Sequence, residues 1–340
     1  MMKPLTSLSE LREVVAVLPE PDRHARQVAK ERQQMLTKPQ GSLGRLEEIA
    51  LWLAAWQGVA RPKADRCQTI VFAGNHGVAA NGVSAFPPAV TEQMVANFRT
   101  GGAAINQLCR SIGSDLDVIA LDLDRPTADF TETAAMSSDE CVDAINKGID
   151  AISPEADIVA LGEMGIGNTT SAAALCCALF GDESAAWVGR GTGVDDATLA
   201  LKADLIRSAV SRNVAQLSDP IDILRHFGGR ELGAIFGATL AARHYRIPVI
   251  IDGFVCTAAV APLAALNENA LDHCLVGHSS VEPGHPHLLS KLGKVALLDL
   301  GMRLGEASGA ALALGIVKAS VAVHDGMATF TEAGVSEEKD

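Results

Sequence analysis

The chain has 340 residues, and its 28 Lys and Arg against 41 Asp and Glu give a formal net charge of −13 at pH 7. This acidic balance argues against nucleic acid or an anionic membrane surface as the main partner, because both attract basic proteins. Hydrophobic residues make up 48% of the chain but aromatic residues only 4%. The predicted core therefore consists mainly of Ala, Val, Leu and Ile, in one large domain with an appendage or in two domains.

The chain shows no sign of export or membrane insertion. No apolar run approaches the ~20 residues that a bilayer span needs, and the first 20 residues carry Glu10, Glu13 and Glu20 in place of a secretory signal. The seven cysteines include no CxxC pair, which favours buried thiols in a reducing compartment. These features predict a cytoplasmic protein.

The N-terminal segment is predicted to be helical. Residues 21–57 have a charged helical pattern that is interrupted at 38–42, where the sequence reads KPQGS. Pro and Gly end one helix there, and Ser42 is expected to cap the next. We predict that residues 1–66 contribute helices to a small subdomain.

Short apolar runs begin after residue 61, each followed by Gly or Asp and then by an Ala-rich helical stretch. The predicted strands are 69–73, 117–121, 158–161, 186–188, 249–251 and 275–277. Continuous apolar strands are typical of a sheet that helices cover on both faces. We therefore predict an α/β fold with a doubly wound, mainly parallel sheet over 67–300, and C-terminal helices over 301–340 that return to the small subdomain.

Two glycine-rich loops follow predicted strands. Residues 162–170 read GEMGIGNTT and precede a helix, so glycines, free amides and Thr hydroxyls together favour a phosphate, although tight packing with ordinary caps explains the loop equally well. The second loop, 189–193, reads GRGTG, and Lys202 lies shortly beyond it. Both loops and the lysine are candidates for holding one phosphate monoester, but Lys202 taken alone is better explained as part of a solvated helix face.

The loop after the first strand offers other candidates. His76 is a possible acid, base or ligand, although an isolated loop histidine is more often a hydrogen-bonded structural group. Phe86, the two prolines after it and Met94 are candidates for the wall of an apolar pocket that takes a flat heterocycle. The alternative is that they belong simply to the core and a turn.

Three histidines, His278, His285 and His287, share the segment 277–287 with Glu282. The prolines of this segment preclude a regular helix that presents them together, and their spacing fits no familiar zinc pattern. We favour a polar loop near a site or a subunit contact over a metal centre.

Glu306 lies in an otherwise small and apolar stretch. Desolvation would raise its pKa toward that of a usable general base. Pairing with Arg303, or capping of a helix, is the alternative and is slightly favoured by this stretch alone.

Several segments occur together in a recognisable order: KPQGSLGRLE at 38–47, HGV at 76–78, GEMGIGNTT at 162–170, DGF at 252–254, and RLGE followed by SGAALA at 303–313. In this combination the chain closely resembles the nicotinate-nucleotide:dimethylbenzimidazole phosphoribosyltransferase family, from about residue 38 to about residue 327. The resemblance implies a homodimer with a Rossmann-like domain and a small helical domain built from both termini. It also implies transfer of 5-phosphoribosyl from nicotinate mononucleotide to dimethylbenzimidazole, as in cobalamin synthesis, with no cofactor or metal.

The resemblance also implies roles for individual residues. Glu306 would be the general base and Glu163 a second catalytic carboxylate. Residues expected to bind the nucleotide and its phosphate are Gly165, Gly167, Asn168, Thr169, Gly191 and Lys202, and those expected to form the base pocket are Phe86, Met94 and Leu304. Phe86 and Met94 stand where some family members have polar residues, so the preferred base is left open.

Other functions fit parts of the same pattern. They are a nucleosidase in which Glu306 activates water, a transferase that uses another azole or a purine, a nucleotide sensor without catalysis, and a metal hydrolase built on the three histidines.

Overall fold

The computed structural model describes residues 2–213, 215, 217 and 219–336. Within these residues the chain forms one parallel sheet of six strands, surrounded by helices. The strands are β1 (Cys67–Ala73), β2 (Ser114–Ala120), β3 (Ile158–Met164), β4 (Val249–Ile251), β5 (Cys274–His278) and β6 (Ala296–Leu298). The helices are α1 (Leu8–Ala16), α2 (Arg23–Met35), α3 (Arg45–Gln57), α4 (Ala89–Thr100), α5 (Ala104–Ile112), α6 (Ser138–Ala151), α7 (Asn168–Phe180), α8 (Ser184–Trp187), α9 (Asp196–Asn213), α10 (Pro220–Phe227), α11 (Arg230–His244), α12 (Phe254–Leu266), α13 (Gly284–Leu292), α14 (Ser308–Gly326) and α15 (Phe330–Ala333).

The order of strands across the sheet is β2-β1-β3-β4-β5-β6. The chain builds outward from β1 to β2 and then crosses to the other side of β1 to continue with β3. The doubly wound parallel sheet predicted from the sequence is therefore confirmed. In such sheets ligands bind at the carboxyl ends of the strands, near the point where the order reverses. Here that point lies between β1 and β3, where Phe72 is in register with Glu163.

Helices cover both faces of the sheet, which explains the continuous apolar strands. In β3, Val159 and Leu161 pack into the apolar cluster that includes α11 and α12. Their neighbours Ile158 and Ala160 pack into a second cluster with residues of α3 and α14. Because successive side chains of a strand point to opposite faces, both sets of neighbours must be apolar.

Three details of the predicted strands are corrected. Residues 186–188 are not a strand, because Ser184–Trp187 forms the short helix α8 and buries the Trp187 ring, whose Nε1 donates to the carbonyl of Gly181 at 2.8 Å. The short strand β6, which is only half buried, was not predicted. Strand β3 continues to Met164, so Glu163 lies in the strand and not in the loop.

The predicted helices of residues 21–57 are present as α2 and α3, and α1 precedes them. Ser42 does not cap α3. The helix begins at Arg45 after Gly44, whose φ of +53° favours glycine. The preceding turn is held by the side chain of Glu47, which accepts from Lys38 Nζ at 2.8 Å and from the Leu43 amide at 3.0 Å.

Helices from the two ends of the chain pack together, as shown by the contact between α3 and α14. Helix α1 instead contacts α12, on the opposite face of the sheet. The predicted boundaries between the α/β core and the small helical subdomain, at residues 66 and 300, stay a prediction. All seven cysteines are buried and free, as predicted. Within the described residues, no helix combines the length and the apolar character needed to cross a membrane.

Candidate active site

A cavity of about 490 Å³ opens at the carboxyl ends of the strands. Its walls come from the loops that follow five of the strands. They include Phe86 after β1, residues 163–166, 168 and 169 at the end of β3, residues 253–255 after β4, His278, Ser280 and Glu282 at and after β5, and residues 303–305 after β6. The loops predicted to carry chemistry therefore meet at one end of the sheet.

Glu163 is nearly buried in the wall of this cavity, with 9% of its surface exposed. Its Oε2 accepts a short hydrogen bond from Asn168 Nδ2. Burial, and secondarily the negative charge of Asp252, raises the pKa of Glu163 to about 8, although the Asn168 bond opposes this change. Burial in the free protein therefore favours the neutral carboxylic acid of Glu163 over the carboxylate.

Glu306 lies in a tight loop against the end of β3. Gly305, Glu306 and Ala307 have φ values of +80°, +62° and +63°, a conformation that costs free energy for residues other than glycine. The Glu306 amide donates to the carbonyl of Glu163 at 3.2 Å. The loop also depends on Gly162, because a Cβ there would lie 2.1 Å from the Ala307 amide nitrogen. The backbone of residues 306 and 307 therefore packs directly against β3, which places Glu306 next to Glu163.

The side chain of Glu306 is only 6% exposed, and within the described residues it has neither a hydrogen-bond partner nor an ion pair. Arg303 does not pair with it and instead donates to the carbonyl of Gly191 at 3.0 Å. The N-cap of α14 is Ala307. Both structural alternatives for Glu306 are thus wrong, and burial, with Asp252 as the second cause, raises its pKa to about 7.

Asp252 is a third buried carboxylate, and sequence reasoning gave it no role. It follows β4, and its Oδ1 accepts from the Ala310 amide in the first turn of α14 at 2.8 Å. Burial raises its pKa, whereas His278, whose Nε2 lies 3.7 Å from Oδ1, lowers it. Asp252 could have been found from the sequence, because it comes directly after the apolar strand β4 and an acidic residue at that position is expected to be buried.

Lys202 is buried, with 1% of its surface exposed, so its interpretation as part of a solvated helix face is wrong. Its Nζ donates to the carbonyl of Gly189 at 2.9 Å and to Thr169 Oγ1 at 3.2 Å. Among the described residues no carboxylate lies within 4.0 Å of this ammonium group. Burial lowers the Lys202 pKa to about 8. A buried cation that lies beside two glycine-rich loops and makes no direct ion pair among the described residues is suited to an anion.

Of the other predicted phosphate contacts, Thr169 and Gly191 lie close to Lys202. Gly165, Asn168 and Thr169 line the cavity, and so does Gly191. Gly167 does not line it; this residue is the N-cap of α7, with a φ of +93°.

The sequence and the fold of the chain both match those of known phosphoribosyltransferases. Residues 18–335 match the sequence model of a family described as "Phosphoribosyltransferase". A nicotinate-nucleotide–dimethylbenzimidazole phosphoribosyltransferase of Ruegeria pomeroyi is 56% identical over 99% of this chain and 100% of that protein. The enzyme of the same name from Mesorhizobium japonicum is 58% identical over 98% and 99% of the two chains. The crystal structure of CobT from Thermus thermophilus superimposes with a TM-score of 0.85 at 40% identity, covering 93% of this chain and 100% of that one.

The chain belongs to the nicotinate-nucleotide–dimethylbenzimidazole phosphoribosyltransferase family. The resemblance inferred from the sequence motifs is thereby confirmed, and so is the assignment of the chain as an enzyme that transfers phosphoribosyl groups.

The residues predicted for the base pocket of this phosphoribosyltransferase lie at different depths. Phe86 and Leu304 line the cavity and are 50% and 55% exposed. Met94 does not line the cavity; it lies half-buried in α4, in an apolar cluster that also includes Met164. Met164 is itself part of the cavity wall.

The histidines of this phosphoribosyltransferase have separate surroundings. His76 is buried between Ser171 Oγ, 2.9 Å from its Nδ1, and the carboxylate of Glu231, which fits a hydrogen-bonded structural group. His285 Nδ1 accepts from the Ser280 amide at 2.9 Å, and His287 Nε2 lies 3.0 Å from Asp182. Within the described residues, no three His, Cys, Asp or Glu side chains are grouped to hold a metal ion.

Proposed function

We propose that this enzyme transfers the 5-phosphoribosyl group of nicotinate mononucleotide to 5,6-dimethylbenzimidazole, giving α-ribazole 5′-phosphate and nicotinate. The observation that carries the proposal is the distribution of charge around the cavity. Glu163 lines one wall, Glu306 is buried behind this wall and bonded to Glu163 through the main chain, and the buried ammonium of Lys202 underlies the glycine-rich loops at another wall. Such a cavity matches two ligands that bind together, an anionic nucleotide held by its phosphate and a base that loses a proton as it attacks.

Glu306 serves as the general base. A benzimidazole attacks C1′ of the ribose through one ring nitrogen, and the proton on its other nitrogen must leave as the new bond forms. A carboxylate whose pKa is raised to about 7 is a stronger proton acceptor than an exposed one and is still partly ionised near neutral pH. The strained loop fixes the backbone of Glu306 against the end of β3.

Glu163 orders the substrates and balances charge at the reacting carbon. As the C1′–N bond to the nicotinate ring breaks, its electron pair returns to the ring nitrogen, so the pyridinium leaves as a neutral pyridine. The positive ring of the bound nucleotide lowers the pKa of a nearby carboxyl group. Glu163 then becomes ionised and can offset the positive charge that develops on the ribose.

The phosphate subsite provides binding and orientation. Lys202 and Thr169 bind the phosphate, with the loops at Gly165, Gly167, Asn168 and Gly191, and thereby place C1′ between the base and Glu163. Positioning of this kind can supply a large part of the reduction in barrier. It also explains how an acidic chain binds an anionic substrate, since the favourable charge is local.

Phe86 and Leu304, with Met94 behind the wall, form the pocket for the flat base. Their apolar surface suits a methylated benzimidazole, for which burial of ring and methyl groups is favourable. The proposal includes a cytoplasmic homodimer whose main partners are small molecules and not nucleic acid or membrane. The buried free thiols support a reducing compartment, and the exposed side chains of Val281 and Leu300, which follow β5 and β6, support a subunit contact at this end of the sheet.

The test is to incubate the protein with nicotinate mononucleotide, with and without dimethylbenzimidazole, and to separate the products by mass. We expect nicotinate and α-ribazole phosphate to form in equal amounts and only when the base is present. Release of ribose phosphate without the base would instead identify a nucleosidase. Light scattering on a sizing column tests the homodimer separately.

A further inference from the structure

The Gly191 amide, which the proposed function assigns to the substrate phosphate, already has a partner within the chain. Glu282 Oε1 accepts from this amide at 2.9 Å. The Glu282 side chain lies in the cavity wall with 7% of its surface exposed. A carboxylate therefore occupies the position that an oxygen of the phosphate would take.

The second oxygen of Glu282 is unsatisfied. Oε2 is buried and has no hydrogen-bond partner among the described residues. It packs against Gly189, where a Cβ would lie only 1.8 Å away. A buried carboxylate oxygen without a partner is costly, so nothing on this side holds the side chain in place.

Lys202 reaches the same loop but does not pair with Glu282. Its Nζ bonds to the Gly189 carbonyl and to Thr169, and the two charged groups form no ion pair within 4.0 Å. Both groups contact the same loop, the ammonium at the Gly189 carbonyl and the carboxylate at the Gly191 amide, and the Glu282 charge favours the charged form of Lys202 without direct contact. A phosphate on Lys202 and the Gly191 amide would meet Glu282 directly, and two anions placed so closely repel.

We propose that Glu282 is a specificity-determining residue of the phosphate subsite: its carboxylate replaces the phosphate in the free protein and turns away when a phosphorylated ligand binds. This inference rests on the proposed function, since it takes the phosphate to bind at Gly191. Because Glu282 must first leave the Gly191 amide, phosphate binds less tightly than it would to the amides and the lysine alone. Binding therefore requires a ligand that bonds to the Gly191 amide better than Glu282 does.

Glu282→Gln tests this because Gln retains an acceptor for the Gly191 amide but has no charge. We expect calorimetric titration to show about tenfold tighter binding of both inorganic phosphate and nicotinate mononucleotide, equivalent to about 1.4 kcal/mol. Glu183→Gln is the matched control, because it removes an exposed carboxylate at the start of α8, just before the same loop, and should leave both affinities unchanged. Equal or weaker binding by Glu282→Gln would overturn the inference.

A crystal structure of the wild-type protein with inorganic phosphate gives a second, independent measurement. We expect a phosphate oxygen on the Gly191 amide and the Glu282 carboxylate turned out of the loop. Phosphate bound elsewhere, or bound while Glu282 stays on Gly191, would contradict the displacement. Formation of α-ribazole phosphate by the wild-type protein is measured separately, so failure of the proposed function is distinguishable from failure of this inference.

Discussion

The backbone amide of Glu306 donates a hydrogen bond to the backbone carbonyl of Glu163 at 3.2 Å. This contact joins the loop before α14 to the end of β3, two segments that are far apart in the chain. It also brings together two carboxyl groups whose pKa values are raised to about 7 and about 8. The main chain, more than any direct bond between the side chains, thus places Glu306 behind the wall that Glu163 forms.

Replacing Glu306 with Gln tests the general base. The amide has nearly the same shape but cannot accept the proton, so we expect kcat to fall by a factor of about 10² to 10⁴, the usual contribution of general acid–base catalysis. The melting temperature should not fall, because the side chain has no partner to lose within the described residues. Glu268→Gln, in an exposed loop before β5 at the opposite end of the sheet, is the matched control and should keep full activity. Turnover near the wild-type rate in Glu306→Gln would exclude this role.

The pH dependence of the reaction follows from the same residue. A base must be deprotonated to act, and the Glu306 pKa is raised to about 7. We therefore expect kcat/KM to rise with pH through a midpoint near 7. Asp252→Asn removes a negative charge that raises this pKa, so it should move the midpoint to lower pH. The measurement is a rate profile for both proteins, and an unmoved or higher midpoint in Asp252→Asn would refute the assignment.

The sheet was largely predictable because its strands have a strong local signal. A run such as 158–161 is apolar throughout, since both faces of β3 are covered. An apolar run does not distinguish a strand from a short buried helix, as at Trp187 in α8. The pattern also misses a strand that is short and half-buried, as in β6. Local sequence therefore identifies the centre of the sheet better than its edge.

The site was predictable in its residues but less so in their environments. Lys202 lies on a helix whose own pattern gives no reason for burial, and it is buried because the loop at Gly189 folds over it. Asp252 acquires its influence on Glu163 through strand pairing, since Leu161 is in register with Ile251. Such effects arise from contacts between distant segments, which a pattern of neighbouring residues does not reveal.

Glu163→Gln should change how stability depends on pH. The Glu163 pKa is raised from 4.5 to about 8 on folding, so the folded protein binds this proton more tightly than the unfolded chain does. Its contribution to stability is complete below about pH 4.5 and is lost as the pH rises through about 8. The loss is at most about 1.4 kcal/mol per pH unit.

Melting temperatures measured across this pH range should therefore fall less steeply for Glu163→Gln than for the wild type. The Glu268→Gln protein should follow the wild-type curve, because that exposed carboxylate is solvated in both states. Parallel curves for Glu163→Gln and the wild type would show that Glu163 is ionised in the folded protein.

Lys202→Met tests the phosphate subsite. Met fills a similar volume without the charge, so we expect the KM for nicotinate mononucleotide to rise by about 10- to 100-fold, corresponding to the ~1.5–3 kcal/mol of a charge-assisted hydrogen bond. The melting temperature should change little, because removal of a buried cation offsets the loss of its hydrogen bonds to Gly189 and Thr169. Lys30→Met, on the exposed face of α2, is the control. An unchanged KM would place the phosphate away from Lys202.

Phe86→Ala tests the base pocket. The ring is 50% exposed at the mouth of the cavity, where a bound heterocycle would cover it. We expect the KM for dimethylbenzimidazole to rise by about tenfold, since stacking of a flat ring on an aromatic side chain is worth about 0.5–1.5 kcal/mol beyond the area it buries. The KM for nicotinate mononucleotide should change little, because the phosphate contacts lie deeper. Comparable increases in both KM values would mean that Phe86 supports the whole cavity and does not select the base.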